Sequence, residues 1–168
     1  MRILGIDPGM ATMGYGVIDY SPDGIGDAMT LIDYGIFTTP ADIPTSERLR
    51  HLYREISRLI ELRQPAEAAV ELFVARNVRS ALLVGQARGV AILAAAEKGL
   101  PVYEYTPSQV KQSVAGYGRG RKEQVQEMVR IQLGLNTCPQ PDDAADALAV
   151  AICHCAYSRM ARLLEKGE

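Results

Sequence analysis

The sequence predicts an α/β domain on a mixed sheet, with the first three strands antiparallel, the later strands parallel, and helices flanking them. Three observations carry that prediction. The first three extended runs follow one another through short, glycine-containing links, as antiparallel neighbours do. Each later extended run is followed by a helical run, and such crossovers return the chain parallel to itself. The length of 168 residues, with 48% apolar and 23% charged side chains, suits one domain with a sizeable core. Residues 1–168 are therefore read as one unit, with about the last ten a fraying tail.

The elements follow in order. Residues 2–7 are an apolar strand that ends on Asp7. Residues 13–20, rich in Tyr, Val and Ile, are a second strand, and Gly9, Gly14 and Gly16 in or beside the link mark a tight hairpin. Residues 31–38 make a third strand, closed by Pro40 and Pro44. Across 47–63 the residues Leu49, Leu52, Tyr53, Ile56, Leu59 and Ile60 keep helical spacing, and Pro65 ends the run. Residues 68–71 are a short strand ending on Glu71. The alanine-rich run 80–98 is helical, its Gly85 and Gly89 allowing a neighbouring backbone to approach, and Gly99 stops it. A strand over 102–105 precedes helices over 107–114, 121–133 and 142–164, with a loop at 116–120.

The net charge of −2 argues against a bulk-basic nucleic-acid binder, but the charge is unevenly placed. Residues 73–90 hold Arg76, Arg79 and Arg88 and no acid. Residues 108–130 hold Lys111, Arg119, Arg121, Lys122 and Arg130 against Glu123 and Glu127. Each stretch carries +3, leaving −8 elsewhere, so basic segments flank an acidic remainder. Phosphate contacts of this kind supply most non-specific DNA affinity. No apolar run reaches the roughly 18 residues of a membrane span. Asp7 and Pro8 break the first apolar stretch too early for a signal peptide. The three cysteines, Cys138, Cys153 and Cys155, read as reduced thiols, and the expectation is a cytoplasmic protein with no membrane partner.

Acids at element ends carry the chemistry. Asp7 and Glu71 close strands, and Asp143 and Asp146 share one face at the start of the last helix. Asp142, after Pro141, reads as that helix's cap. Strand ends on one sheet edge form a ligand crevice. Carboxylates converging there repel one another unless cations intervene, and hard oxygen ligands suit Mg²⁺ or Mn²⁺. Two ions about 4 Å apart can hold a phosphodiester and activate water.

Gly5-Ile6-Asp7-Pro8-Gly9, then Gly14-Tyr15-Gly16-Val17, resembles the N-terminal signature of the RuvC family of Holliday junction resolvases. The run from Asn77 to Ala91, the segments at Gln109–Gln112 and Lys122–Val125, and Asp143-Ala144-Ala145-Asp146 are similar to the family's later motifs. The resemblance implies a ribonuclease H-like fold, a homodimer and Mg²⁺-dependent, paired cutting of four-way junction DNA, in bacterial recombination and repair. It implies two Mg²⁺ per site, with Mn²⁺ able to substitute, and a branch-migration motor of the RuvA and RuvB type as partner. The family's acids map to Asp7, Glu71, Asp143 and Asp146, its lysines to Lys111 and Lys122, and its junction-facing aromatic to Phe73. Arg76, Arg119 and Arg121 join Phe73, Lys111 and Lys122 as the expected DNA contacts, and Lys122 also as a catalytic charge.

One spacing departs from the family. Glu71-Leu72-Phe73 is one residue shorter than the usual acid-to-aromatic run. Either Glu71 holds the acid position and Phe73 is displaced, or Val70 stands where the acid belongs and the chain binds junctions with weakened or lost cleavage. A loop absorbs a deletion more cheaply than a strand, whose side chains all change face on a one-residue slip. Glu71 is therefore the expected ligand.

Overall fold

The computed structural model describes residues 1–22, 28–72, 78–116 and 121–165. The elements are β1 (Arg2–Asp7), β2 (Thr12–Ser21), β3 (Ala28–Thr38), α1 (Thr45–Arg63), β4 (Glu67–Glu71), α2 (Val78–Glu97), β5 (Val102–Tyr105), α3 (Pro107–Ala115), α4 (Lys122–Gln132) and α5 (Asp142–Glu165). They form one five-stranded sheet in the order β3-β2-β1-β4-β5. β1, β2 and β3 pair antiparallel, and β4 and β5 join parallel to β1. β3 starts three residues before the expected Leu31, because β2 is long enough to pair with it as far as Ser21–Ala28.

Side chains alternate between two cores. Leu4, Ile6, Met13, Val17, Ala68 and Val70 face α1 and α2. Ile3, Ile18, Tyr20 and Ala69 face the layer of α3, α4 and α5. On this period of two, Gly5, Asp7, Glu67 and Glu71 also turn toward α5.

The glycines of the first hairpin have a different job from the expected one. Gly14 and Gly16 lie inside β2, not in its link to β1. A Cβ at Gly14 would stand 1.9 Å from the Asp143 carbonyl oxygen, one at Gly5 2.2 Å from that of Ala147, and one at Gly16 2.6 Å from Leu148. These three positions are a bed on which α5 lies. α5 is further pinned at its far half: His154, buried, joins the Tyr105 hydroxyl through Nδ1 at 2.7 Å and Glu67 through Nε2 at 2.6 Å.

Gly85 and Gly89 behave otherwise. Among the described residues a Cβ at either meets nothing within 4 Å, so no neighbouring backbone there approaches them as expected. Gly99 does end its helix, in the left-handed conformation at φ 73°. None of the three cysteines forms a disulfide. Contrary to expectation, two helices, α2 and α5, are long and apolar enough by length and composition to cross a membrane. For α5 the reason is its place in the core, packed on the sheet. α2 is apolar without being covered, and only 22% of its apolar window is buried.

Candidate active site

The site forms where β1 and β4 end side by side. Ile6 pairs with Val70, so the next residues, Asp7 and Glu71, leave the sheet together on the α5 face. Their carboxyl groups hydrogen-bond one another. Val70 is fully buried on the opposite face, and Glu71 is the acid that stands beside Asp7.

α5 brings the other acids. The glycine bed holds its first turns against β1 and β2, within the electrostatic reach of Asp7. Burial, then the charges of Glu71, Asp146 and Asp143, push the Asp7 carboxyl up to about pH 8. Burial also raises Glu71, against the lowering hydrogen bond from Asp7 and the fields of Lys111 and Lys122. It raises Asp146 as well, although Lys122 pulls the other way. Three carboxyls held above their ordinary range on one sheet edge mark a place short of positive charge.

Two lysines supply part of it. α3 starts directly after β5, its first turn closed by a capping box in which Thr106 Oγ1 accepts the Gln109 N–H at 3.2 Å and Gln109 Oε1 accepts the Thr106 N–H at 2.9 Å. Lys111 follows one turn later on the cleft wall. Lys122, the first residue of α4, sets its Nζ 3.2 Å from Asp146 Oδ2 and 3.1 Å from Asp142 Oδ2. The cleft is completed by Pro107, Val110, Val125 and Ala149.

Of the expected residues, Asp7, Glu71, Asp143, Asp146, Lys111 and Lys122 come together. Arg121 caps α4 through its backbone, its N–H donated to Gln124 Oε1 at 2.9 Å, and its side chain is exposed. Phe73, Arg76 and Arg119 lie outside the described residues. Asp142 is not the cap it was expected to be. It is the first helical residue, and its carboxylate accepts Gln126 Nε2 at 3.0 Å beside Lys122. The apolar walls and the Asp142–Gln126 pair were missed, since nothing in their spacing separates them from ordinary helix residues.

Among the described residues, no three His, Cys, Asp or Glu side chains are gathered closely enough to hold one metal ion as they stand. The donor chemistry nevertheless fits one. Glu71 and Asp146 line the cleft, Asp7 is hydrogen-bonded to Glu71 with Asp143 in its field, Asp146 is turned to Lys122, and hard oxygen ligands match Mg²⁺-class ions.

The family model of crossover junction endodeoxyribonuclease RuvC matches residues 3–154. The chain belongs to the RuvC family. It is 60% identical to the crossover junction endodeoxyribonuclease RuvC of Chloroflexus aggregans, over 92% of each chain. Among solved structures it is similar to Thermus thermophilus RuvC, with a TM-score of 0.89, 38% identity, and 96% and 97% of the two chains covered. It is equally similar to T. thermophilus RuvC in complex with a Holliday junction substrate, with a TM-score of 0.90, 39% identity and 96% of each chain. The RuvC fold is ribonuclease H-like, as expected, and nucleases of the RuvC family are metal-dependent.

Proposed function

We propose that this protein is a structure-specific endonuclease that resolves four-way DNA junctions by paired, symmetric phosphodiester hydrolysis, in recombination and repair. The observation that carries the proposal is the Asp7–Glu71 carboxyl pair on the sheet edge, faced by Asp143 and Asp146 from α5. In this reading residues 1–168 are one ribonuclease H-like nuclease domain, working in the bacterial cytoplasm.

Asp7, Glu71, Asp143 and Asp146 would hold Mg²⁺, two ions per site, with Mn²⁺ as a substitute. The metal would supply an activated water and neutralise charge on the scissile phosphate. The chain's own groups do the rest. Lys111 and Lys122 lower the field of the acids and meet the charge that builds on the phosphate. Pro107, Val110 and Val125 limit water on one wall, which strengthens those electrostatic contacts. Lys111, Lys122 and Arg121 would grip DNA phosphates, joined by Phe73, Arg76 and Arg119.

A two-fold symmetric substrate calls for a two-fold symmetric enzyme. The outward stripe of α2 supports a homodimer: Val78, Leu82 and Leu93 are 77%, 63% and 51% exposed, and Gly85 and Gly89 lie between them. Apolar side chains around two glycines let a second helix come close. The family resemblance supports a motor partner of the RuvA and RuvB type.

The test is cleavage of a synthetic four-way junction by wild type, Asp7→Asn and Glu71→Gln. Both variants should bind the junction like wild type and lose more than about 10³-fold in cutting rate, roughly 4 kcal/mol of barrier. Cutting by Asp7→Asn at the wild-type rate overturns the proposal.

A further inference from the structure

Asp142 belongs to none of the four acids proposed to hold metal, yet it is built into the same corner. Lys122 Nζ divides itself almost evenly, 3.1 Å from Asp142 Oδ2 and 3.2 Å from Asp146 Oδ2. The two seats differ in surroundings: the Asp142 side chain is 52% exposed and that of Asp146 30%. Asp142 is itself held, because its other oxygen accepts Gln126 Nε2 at 3.0 Å. Lys122 and Gln126 are four residues apart on α4, so one helix face presents both donors to one carboxylate.

We infer that Asp142 is a positioning residue that takes the Lys122 ammonium off Asp146 when a divalent cation enters the site. The inference rests on the metal-site reading above. A cation on Asp146 and an ammonium 3.2 Å from the same carboxylate repel each other, so Lys122 must retreat. Asp142 offers it a partner already in contact, on the water side, with no new rotamer to find. Without Asp142, Lys122 keeps Asp146 as its ion-pair partner among the described residues and competes with the metal for it. Half-exposed ion pairs of this kind are worth up to about 1 kcal/mol, which is about fivefold in affinity.

The experiment is Mn²⁺ binding to the full chain without DNA, followed by loss of the free-ion paramagnetic resonance signal. Wild type is compared with Asp142→Asn, Lys122→Met and the double variant. Lys122→Met should bind Mn²⁺ about two- to fivefold tighter than wild type, because the competing ammonium is gone. Asp142→Asn should bind about two- to fivefold more weakly. In the Lys122→Met background the Asp142 substitution should then make no difference. An equal loss in both backgrounds overturns the inference, because Asp142 would be acting through its own charge on the metal. Unchanged binding by Asp142→Asn overturns it too. If wild type binds no Mn²⁺ and Asp7→Asn matches it, the metal-site reading itself fails, and this inference with it.

Discussion

α2 and α5 are the two most apolar long helices of the molecule, and the fold treats them in opposite ways. α5 is pressed onto the sheet so closely that β1 and β2 have no room for a Cβ at Gly5, Gly14 or Gly16. α2 keeps its own two central glycines facing outward, with nothing within 4 Å of a Cβ at either among the described residues, and leaves Val78 and Leu82 exposed. Small residues on a strand here mean that something is seated on them. Small residues on the outer face of α2 have nothing seated on them among the described residues. Two of the four acids, Asp143 and Asp146, ride on the seated helix, and the proposed symmetry of the enzyme on the unseated one.

The largest way to break this contrast is Gly14→Ala. Its Cβ would stand 1.9 Å from the Asp143 carbonyl oxygen and 2.4 Å from the carbonyl carbon, backbone atoms that cannot rotate away. The expected loss is more than about 4 kcal/mol in urea unfolding, together with loss of cleavage as α5 lifts. A variant as stable as wild type would mean that α5 is not seated as described.

A second prediction concerns the charge that seating gathers. The Asp7 carboxyl is raised to about 8 in the fold, above its ordinary value of about 3.9. Folding therefore favours its protonated form, and that contribution is fully present at low pH and lost as pH rises through about 8. In chelator, thermal midpoints should fall between about pH 4 and pH 8, the span from the ordinary value to the raised one. Asp7→Asn should flatten the fall. Carboxylates lowered by partners, such as Asp19 on Arg2, act with the opposite sign and only in acid. Parallel pH profiles for the two proteins would refute the assignment of the fall to Asp7.

The unseated helix gives a smaller effect. Leu82→Glu should raise the dimer dissociation constant at least about tenfold in sedimentation, roughly 1.4 kcal/mol, with protomer stability nearly unchanged. Dimers of unaltered strength would place the interface elsewhere. Smallest of all, Gly89→Ala, measured below the dimer dissociation constant, should stabilise the protomer by up to about 1 kcal/mol, since an exposed helix interior prefers alanine. The same change at Gly14 has the opposite sign, which is the contrast in its simplest form.

The order of elements was legible because Asp7, Glu71, Pro65 and Gly99 punctuate it, and each punctuation mark acts locally. The four acids and both lysines were legible through element ends and the family motifs. The role of Gly14 and Gly16 was not, because a glycine in a strand and a glycine in a turn look alike until the partner that lies on it is known. Gly85 and Gly89 were read as admitting a neighbouring backbone, and among the described residues none comes within 4 Å of a Cβ at either, because a helical glycine does not show by itself whether it faces the sheet or the outside. Asp142 was read as a cap because Pro141 precedes it. What decides its role is Lys122, twenty residues earlier and on another helix, and no local pattern carries that distance.

His154 gives the architecture a final consequence. A rod fastened at its distal half to Glu67 and Tyr105, and bedded on glycine at its head, has lost its freedom to slide or roll before any substrate arrives. The entropy of ordering Asp143 and Asp146 is thus spent during folding. A DNA strand reaching this edge would meet two acids whose helix backbone is already in place, leaving only their side chains to be arranged.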